Sequence, residues 1–241
     1  EKVEQEVHRL FPEARTLRMD RDTTSKKNSH EQILESFGRG DADILIGTQM
    51  IVKGHDFSRV TLVGVLLADL TLFSGDYRAG ERTFDLLTQA AGRAGRGDVP
   101  GKVVIQTYKP DNYAITAAAS QDYRAFYDIE EAYRSLMRYP PEWNMMVIMG
   151  TGMDEEQLAN IMDRMYSLIR GKYINAGHLS VIGPSEPAIS KIKDVYRRVL
   201  YIKHRDYRML VDVKDYVEEW LKENGENDVS VFFDLNPVNM Y

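Results

Sequence analysis

The 241-residue sequence contains no cysteine, which excludes disulfide bonds and thiolate metal sites within it. It also lacks a long hydrophobic run: the longest mainly apolar stretch, residues 60–73, is shorter than a bilayer span and includes Asp69. The N-terminal stretch is charged and indicates a helix rather than a signal peptide. With 43% apolar residues, we expect a soluble globular protein located in the cytoplasm.

Positive charge is also scarce, because 37 acidic residues outnumber 31 lysines and arginines and give a formal net charge of −6. Proteins that coat nucleic acid without discrimination usually carry a broad positive field. The charge therefore argues against that class of protein, although it leaves room for a local basic groove.

A P-loop is missing as well. The segment RGDVPGKV (96–103) places Gly-Lys after a loop, but a P-loop needs glycine where Arg96 stands and Ser or Thr where Val103 stands. If the protein handles nucleotide, the phosphates must be held by a P-loop from elsewhere. His55 has no second histidine at metal-ligand spacing, so we predict no metal site.

The N-terminal half alternates helical and strand-like patterns. Three runs rich in Val, Ile and Leu, at 43–48, 60–68 and 101–108, indicate strands covered on both faces of a parallel sheet. A shorter strand is predicted at 16–20, and a helix that starts near Tyr77 leads towards the last run. These patterns predict an α/β architecture.

The C-terminal half is organised differently. Residues 111–138 look wholly helical, and the pair Pro140-Pro141 ends this helix and marks a domain boundary. Beyond it the patterns predict the order β-α-β-β-α-β, which is that of ferredoxin-like α+β domains. The predicted divisions are an α/β domain, a helical connector and a small α+β domain, over 1–110, 111–139 and 140–241.

The segment QAAGRAGRG (89–97) sets Gln89, Arg93 and Arg96 at spacings of four and three, which on a helix places them on one face. The small residues between them allow an anionic or planar ligand to approach the backbone. Guanidinium groups form bidentate contacts with phosphate oxygens. The alternative is an ordinary helix end, where arginines favour the helix dipole and Gly97 caps the last turn.

The segment GTQMIVKGHDF (47–57) directly follows a predicted strand. Its polar residues therefore lie at the carboxyl end of that strand, where open α/β sheets bind ligands. The alternative is an ordinary polar connection. The residues concerned are Thr48, Gln49, Lys53, His55 and Asp56.

Taken together, GTQMIVKGHDF and QAAGRAGR resemble motifs V and VI of superfamily 2 helicases. LFSGDYRAGERTFDLLTQ (72–89), RMDRDTTSKK (18–27) and YPPEWN (139–144) narrow the resemblance to the C-terminal part of the primosomal replication-restart helicases, the primosomal protein N-prime family. The resemblance covers nearly the whole chain and is strongest over 18–108. It implies a partial RecA-like second helicase lobe, followed by a C-terminal domain that binds DNA or a protein partner.

In that family ATP and Mg²⁺ lie between two lobes and are held mainly by the first lobe, which this chain does not match. The resemblance implies that Arg96 is the arginine finger and Arg93 a second phosphate-facing arginine. It implies that Gln89 keeps the motif in register with the nucleotide. Gly54 and Asp56 would face the nucleotide from motif V.

The resemblance also places Thr48, Gln49 and Lys53 near the DNA backbone. It implies a 3′-to-5′ ATP-dependent DNA helicase that reloads the replication machinery at stalled or branched forks. The family carries a zinc module upstream of the matching segment, so zinc is implied for the complete protein and none for this chain, which we expect to begin just after that module. Because the Walker A and acidic motifs are absent, we expect no ATPase activity from the chain alone.

Between Lys191 and Arg208, seven Lys or Arg stand against two Asp, with three tyrosines interleaved. Cations beside aromatic rings suit single-stranded nucleic acid or an acidic peptide tail that ends in a carboxylate. Lys191, Arg197 and Arg198 are the preferred contact residues. The alternative is a solvated strand face with its tyrosines in the core. The implied partners are forked DNA, single-stranded-DNA-binding protein and other primosome proteins.

Two other functions stay open at this point. One is another superfamily 2 DNA translocase, acting in recombination or repair, although DYRAGER (76–82) and the C-terminal element order count against it. The other is a nucleic-acid-binding adaptor without catalysis.

Overall fold

A computed structural model describes residues 1–20, 22–24, 29–52, 57, 59–95, 100–175, 177–225 and 228–240. The chain divides into two compact units, one of Glu1–Leu72 with Gly80–Phe126 and one of Phe73–Ala79 with Tyr127–Tyr241. Seven residues from the N-terminal half, Phe73–Ala79, therefore belong to a unit that is otherwise C-terminal.

The N-terminal elements are, in chain order, α1 (Lys2–Leu10), β1 (Thr16–Met19), α2 (Ser29–Arg39), β2 (Ile44–Gly47), a short 3₁₀ helix (Gln49–Val52), β3 (Leu62–Val65), α3 (Asp69–Leu72), α4 (Ala79–Ala91), β4 (Lys102–Ile105) and α5 (Tyr113–Ser120). β1 pairs with β2 and β3 pairs with β4, and both ladders are parallel. The predicted α/β class with parallel strands is confirmed. Among the described residues no ladder joins the two pairs, so the parallel strands form two separate sheets.

The core of this unit lies on one side of β3 and β4. Phe84 of α4 and the buried face of α5 form a cluster against which Val65 and Ile105 pack. Leu62 and Val104 point to the other side, because side chains alternate along a strand, and they are 60% and 49% exposed. The expectation that these strands are covered on both faces is therefore wrong for the described residues.

The remaining elements are α6 (Tyr123–Met137), β5 (Asn144–Gly152), α7 (Glu155–Lys172), β6 (Ser180–Ser185), β7 (Lys191–Ile192), β8 (Val195–His204), α8 (Tyr207–Asn224) and β9 (Val229–Leu235). The strands form one antiparallel sheet in the order β6-β8-β5-β9, with the two-residue β7 pairing with β8. After α6, and apart from β7, the elements follow one another as strand, helix, two strands, helix and strand.

α7 and α8 cover one face of this sheet. α7 begins after Asp154, whose side chain accepts a hydrogen bond from the Gln157 N–H at 2.9 Å. Asp206 caps α8 in the same way by accepting from Arg208 N at 2.9 Å. The apolar stripe of α7 follows helical spacing and is fully buried against the strands; its residues are Leu158, Ile161, Met162, Met165 and Ile169.

The connector between the two halves is not one continuous helix. α5 ends before Gln121, which adopts the left-handed conformation with φ of 54°. Asp122 then caps α6 by accepting a hydrogen bond from Ala125 N at 2.9 Å. The prediction of a wholly helical 111–138 is therefore wrong at this point, because the backbone turns where Asp122 can satisfy the first free N–H groups of α6.

Candidate nucleotide and nucleic-acid sites

Thr48 and Gln49 follow β2 directly and are exposed. Their position is set by Gly47, the last residue of β2, which stands opposite Met19 in the parallel ladder. A Cβ on Gly47 would collide with the Met19 carbonyl oxygen and the Ile51 side chain. Only glycine lets the chain leave the strand this close to β1, and the two polar residues therefore emerge at the carboxyl edge of the β1–β2 pair.

Gln89 is exposed near the end of α4, and Arg93 is half-buried two residues beyond the end of this helix. The helix ends at Ala91, and Arg93 N donates to Ala90 O at 3.1 Å in a following turn. Gln89 and Arg93 are thus close along the chain, but the prediction that they share one face of a continuing helix is wrong. Gly residues weaken helices, and two of them follow Ala91.

The second of these glycines, Gly95, fixes where the turn goes. It has φ of +74°, and its N–H donates to Val60 O at 3.1 Å, which ties the turn to the residues before β3. A Cβ on Gly95 would lie 2.5 Å from Gly101 N. Gly95 of QAAGRAGRG therefore has a backbone role at this close approach, in addition to the open space that the sequence predicts for a ligand.

Six of the residues singled out in the sequence lie outside the described residues, namely Lys53, Gly54, His55, Asp56, Arg96 and Gly97. Their assigned roles stay predictions.

A buried carboxylate fixes the chain after β3. Asp69 is 4% exposed, and its side chain accepts hydrogen bonds from Thr107 Oγ1 at 2.7 Å and from Tyr108 N at 2.9 Å. Burial by itself raises the pKa of Asp69, but these hydrogen bonds outweigh it and hold the pKa below its ordinary value. Asp69 thereby clamps the start of α3 to the residues that follow β4.

The three preferred cations of the C-terminal half do not converge. Lys191 Nζ lies 3.3 Å from both Tyr196 Oη and Asp194 Oδ1, and these hydrogen bonds raise its pKa. Arg197 donates to Ile189 O at 3.1 Å and contacts Met149 Sδ at 3.5 Å. Arg198 is the next residue along β8, so its side chain points to the opposite face from that of Arg197.

The tyrosines between these cations divide in the same way. Tyr196 packs on the core under α7 and α8, and Tyr201 packs on the buried cluster of the other sheet face. Only Tyr207, at the start of α8, is exposed among the three, at 45%. The charge excess that the sequence shows is therefore distributed over both faces of the sheet.

A column of cations and rings, which the sequence did not reveal, joins Phe73–Ala79 to the rest of its unit. Tyr77 stacks on Tyr139 with ring centroids 5.0 Å apart and planes at 13°. The Arg134 guanidinium lies 5.4 Å from the Tyr77 ring, and Lys203 Nζ lies 3.6 Å from the Tyr139 ring. Tyr77 therefore anchors the segment DYRAGER to the rest of its unit. A tyrosine among polar residues is the sequence signal that could have indicated this contact.

Lys203 ends this column in a buried position, 6% exposed, with its Nζ donating to Met137 O at 3.1 Å. Burial, with a smaller contribution from the charge of Arg138, lowers the pKa of Lys203 to about 8. Lys203 therefore counts as a structural cation and not as part of an exposed binding surface.

Within the described parts of the chain, no three His, Asp or Glu side chains come together in a way that could hold a metal ion. No helix that the structure describes combines the length and the apolar character needed to cross a membrane.

Comparison with known proteins gives two family matches. The model of the primosomal protein N C-terminal domain matches residues 135–238, and that of the helicase conserved C-terminal domain, a RecA-like domain, matches residues 2–98. The de novo designed protein Foldit4 aligns with 39% of this chain at a TM-score of 0.30 and 18% identity, a similarity that establishes no shared fold.

Replication restart protein PriA of Bacillus subtilis is 42% identical over 242 residues, which cover all of this chain and 30% of that protein. The protein of the same name from Synechocystis is 34% identical over the whole chain, and that from Haemophilus influenzae is 35% identical. In these two relatives the chain spans 28% and 32% of the length. The predicted resemblance is confirmed, and the chain belongs to the family of the replication restart protein PriA.

Proposed function

We propose that this chain forms the second helicase lobe and the C-terminal domain of an ATP-dependent DNA helicase that restarts replication at stalled or branched forks. The observation that carries the proposal is similarity over the entire chain to proteins named for replication restart. The match of residues 135–238 to a primosomal model favours this function over that of a general repair translocase.

In the complete protein, ATP would be held mainly by the first lobe, and its hydrolysis with Mg²⁺ would supply the free energy of movement. Phosphoryl transfer is catalysed chiefly by positioning and by neutralising charge. The residues present suit that task, because Arg93 is a fixed cation in the turn after α4 and Gln89 is exposed just before it. Arg96 would be the arginine finger, and Gly54 and Asp56 would face the nucleotide.

The proposed DNA contact consists of Thr48, Gln49 and Lys53, of which the structure describes the first two. Both are polar, exposed and placed at the end of β2, so a phosphate could accept hydrogen bonds from them without any burial of charge. Because this loop would carry DNA contacts at its start and nucleotide contacts at Gly54 and Asp56, one segment would respond to both ligands.

We infer a ferredoxin-like fold for the C-terminal unit from its element order and from the two helices on one sheet face. Its proposed partners are DNA, single-stranded-DNA-binding protein and other primosome proteins. Lys191, Arg197 and Arg198 stay the contact residues proposed from sequence. Their separation over two faces favours distinct contacts rather than one groove, and single substitutions should therefore have additive effects.

The direct test compares ATP hydrolysis by this chain with that by the complete protein, with and without forked DNA. We expect no Mg²⁺-dependent turnover above background from the chain, because it has no P-loop, and DNA-stimulated turnover from the complete protein. Turnover by the chain alone would contradict the two-lobe proposal. If the complete protein binds forked DNA but never hydrolyses ATP, the non-catalytic adaptor is the better function.

A further inference from the structure

A cationic patch surrounds Trp143, just before β5. Arg138 and Arg205 lie over its ring, with their guanidinium carbons 5.0 Å and 5.4 Å from the ring centroid. His178 approaches the same indole edge-on, with centroids 6.4 Å apart and planes at 81°. We call Arg138, Trp143, His178 and Arg205 the Trp143 patch. Its members come from the end of α6 and from the loops before β5, β6 and α8.

The Trp143 indole supports the two guanidinium groups and does not itself contact a ligand. Trp143 is 4% exposed, so neither a base nor an aromatic ligand can stack on it. The two arginines and His178 are exposed. A guanidinium that stacks on a ring keeps its N–H groups at its edge, where they can form paired hydrogen bonds with an oxyanion.

The two arginines are available for such a ligand. Among the described residues, no carboxylate lies within salt-bridge distance of either guanidinium. In the sequence, Glu142 precedes Trp143 and Asp206 follows Arg205, and the Asp206 side chain caps α8. Buried Lys203 adds a third positive charge, and the charge of Arg138 contributes to lowering the pKa of Lys203. Positive charge is thus concentrated here in a chain whose net charge is −6.

The backbone supports a role for these side chains. Arg138 has φ of 57° and His178 has φ of 72°, in the left-handed region where glycine is favoured. At Arg138 this conformation ends α6, with Tyr139 N donating to Arg134 O at 2.8 Å, and glycine would serve that purpose without steric cost. Two such residues beside one indole point to a use for the side chains themselves.

We propose that the Trp143 patch binds the phosphodiester backbone of DNA. Each phosphate offers two oxygens and one charge, which match an arginine edge, and the covered indole leaves no means of reading a base. Binding at this patch is therefore independent of sequence and strongly dependent on salt. This inference rests on the proposed function for its choice of DNA over other anions.

The test measures binding of fluorescein-labelled forked DNA to the 241-residue chain by anisotropy, between about 50 and 200 mM salt. The double variant Arg138→Gln with Arg205→Gln should bind roughly tenfold or more weakly at low salt. Its slope of log K against log salt should flatten by roughly 1.5 to 2, because two phosphate contacts are lost. Lysines at both positions should restore the slope.

Arg170→Gln is the matched control, because the Arg170 guanidinium also lies over a ring, 6.0 Å from the Tyr166 centroid, but on α7. Unfolding curves by circular dichroism establish that all variants are folded. The proposal is overturned if the wild-type chain does not bind DNA at low salt. It also fails if the double variant binds DNA with the same affinity and salt slope as wild type or Arg170→Gln. The same holds if the double variant no longer binds a polyglutamate peptide that wild type binds but still binds DNA as wild type does.

Failure of this inference and failure of the proposed function can be told apart. The proposed function depends on ATP hydrolysis by the complete protein and on Arg96, neither of which involves the Trp143 patch. If the double variant binds DNA as wild type does and DNA-stimulated hydrolysis is normal, only the proposal for the Trp143 patch fails and the proposed function stands.

Discussion

The parallel β3–β4 sheet and the antiparallel C-terminal sheet differ in how far the chain buries them. In the C-terminal unit, Leu200 in the middle of β8 is completely buried beneath α7 and α8. In the N-terminal unit, Leu62 at the start of β3 is 60% exposed. β3 (LVGV) holds only aliphatic residues and glycine, whereas β8 (VYRRVLYIKH) also carries charged residues and tyrosines, so an apolar composition alone does not decide burial. What decides it is whether neighbouring helices lay an apolar stripe over the face on which the side chain lies.

Truncating each leucine gives the largest expected contrast. Leu200→Ala should lower the free energy of unfolding of the C-terminal unit by about 2 to 5 kcal/mol, because it leaves a cavity in a close-packed core. Leu62→Ala should cost less than about 0.5 kcal/mol, since an exposed side chain loses little on truncation. Denaturation followed by tryptophan fluorescence reports the first change, because Trp143 and Trp220 both lie in the C-terminal unit.

Hydrogen exchange of the amides in β3 and β4 measures the effect of Leu62→Ala on the stability of the N-terminal unit. Equal destabilisation by the two truncations would mean that β3 is as well covered as β8, and would remove the contrast between the sheets.

The next effect concerns Lys203. Its folded pKa of about 8 lies below the ordinary value of 10.5, so above pH 8 the unfolded chain binds more protons than the folded one. The free energy of unfolding of the C-terminal unit should therefore rise between pH 8 and 10.5, by up to about 3 kcal/mol. Urea titrations across this range in wild type and in Lys203→Met measure it. An equal rise in both proteins would show that another group is responsible.

A smaller effect is expected at the turn after α4. Gly95→Ala should destabilise the N-terminal unit by about 1 to 3 kcal/mol, because φ of +74° and the contact with Gly101 both disfavour a Cβ. Gly64→Ala is the control, since nothing lies within 4 Å of a Cβ at that position. Hydrogen exchange over β3 and β4 distinguishes the two. If Gly95→Ala behaves like Gly64→Ala, the turn does not depend on glycine.

The smallest effect is an exposed ion pair. Arg15 donates hydrogen bonds to Asp43 through its guanidinium and its backbone N–H. The guanidinium hydrogen bonds contribute most to lowering the pKa of Asp43, which falls to about 2. The stabilisation is present above about pH 4 and lost as the pH falls towards 2. Asp43→Asn should therefore raise the pH midpoint of acid unfolding of the N-terminal unit slightly, as followed by circular dichroism. An unchanged midpoint would show that the pair contributes nothing.

Local sequence patterns predicted most elements, because helix caps and apolar stripes are local. α7 follows directly from Asp154 and a stripe at helical spacing. The end of α4 was not predicted, since spacing alone cannot show that the chain turns at Gly95 towards Val60. Burial of Lys203 depends on Tyr139, far away in sequence, and the two arginines on Trp143 are 67 positions apart. Tertiary packing brings these groups together, and no sequence period records it.

The proposed function depends most on one residue, Arg96, which we propose this chain supplies to a nucleotide bound elsewhere in the complete protein. The most direct test is DNA-stimulated ATP hydrolysis by the complete protein with Arg96→Ala. Arg39→Ala is the control, since Arg39 forms an exposed surface pair with Asp41. We expect kcat to fall by roughly 10³ to 10⁵ for Arg96→Ala and to stay unchanged for the control. Equal kcat values for wild type and Arg96→Ala would contradict the account.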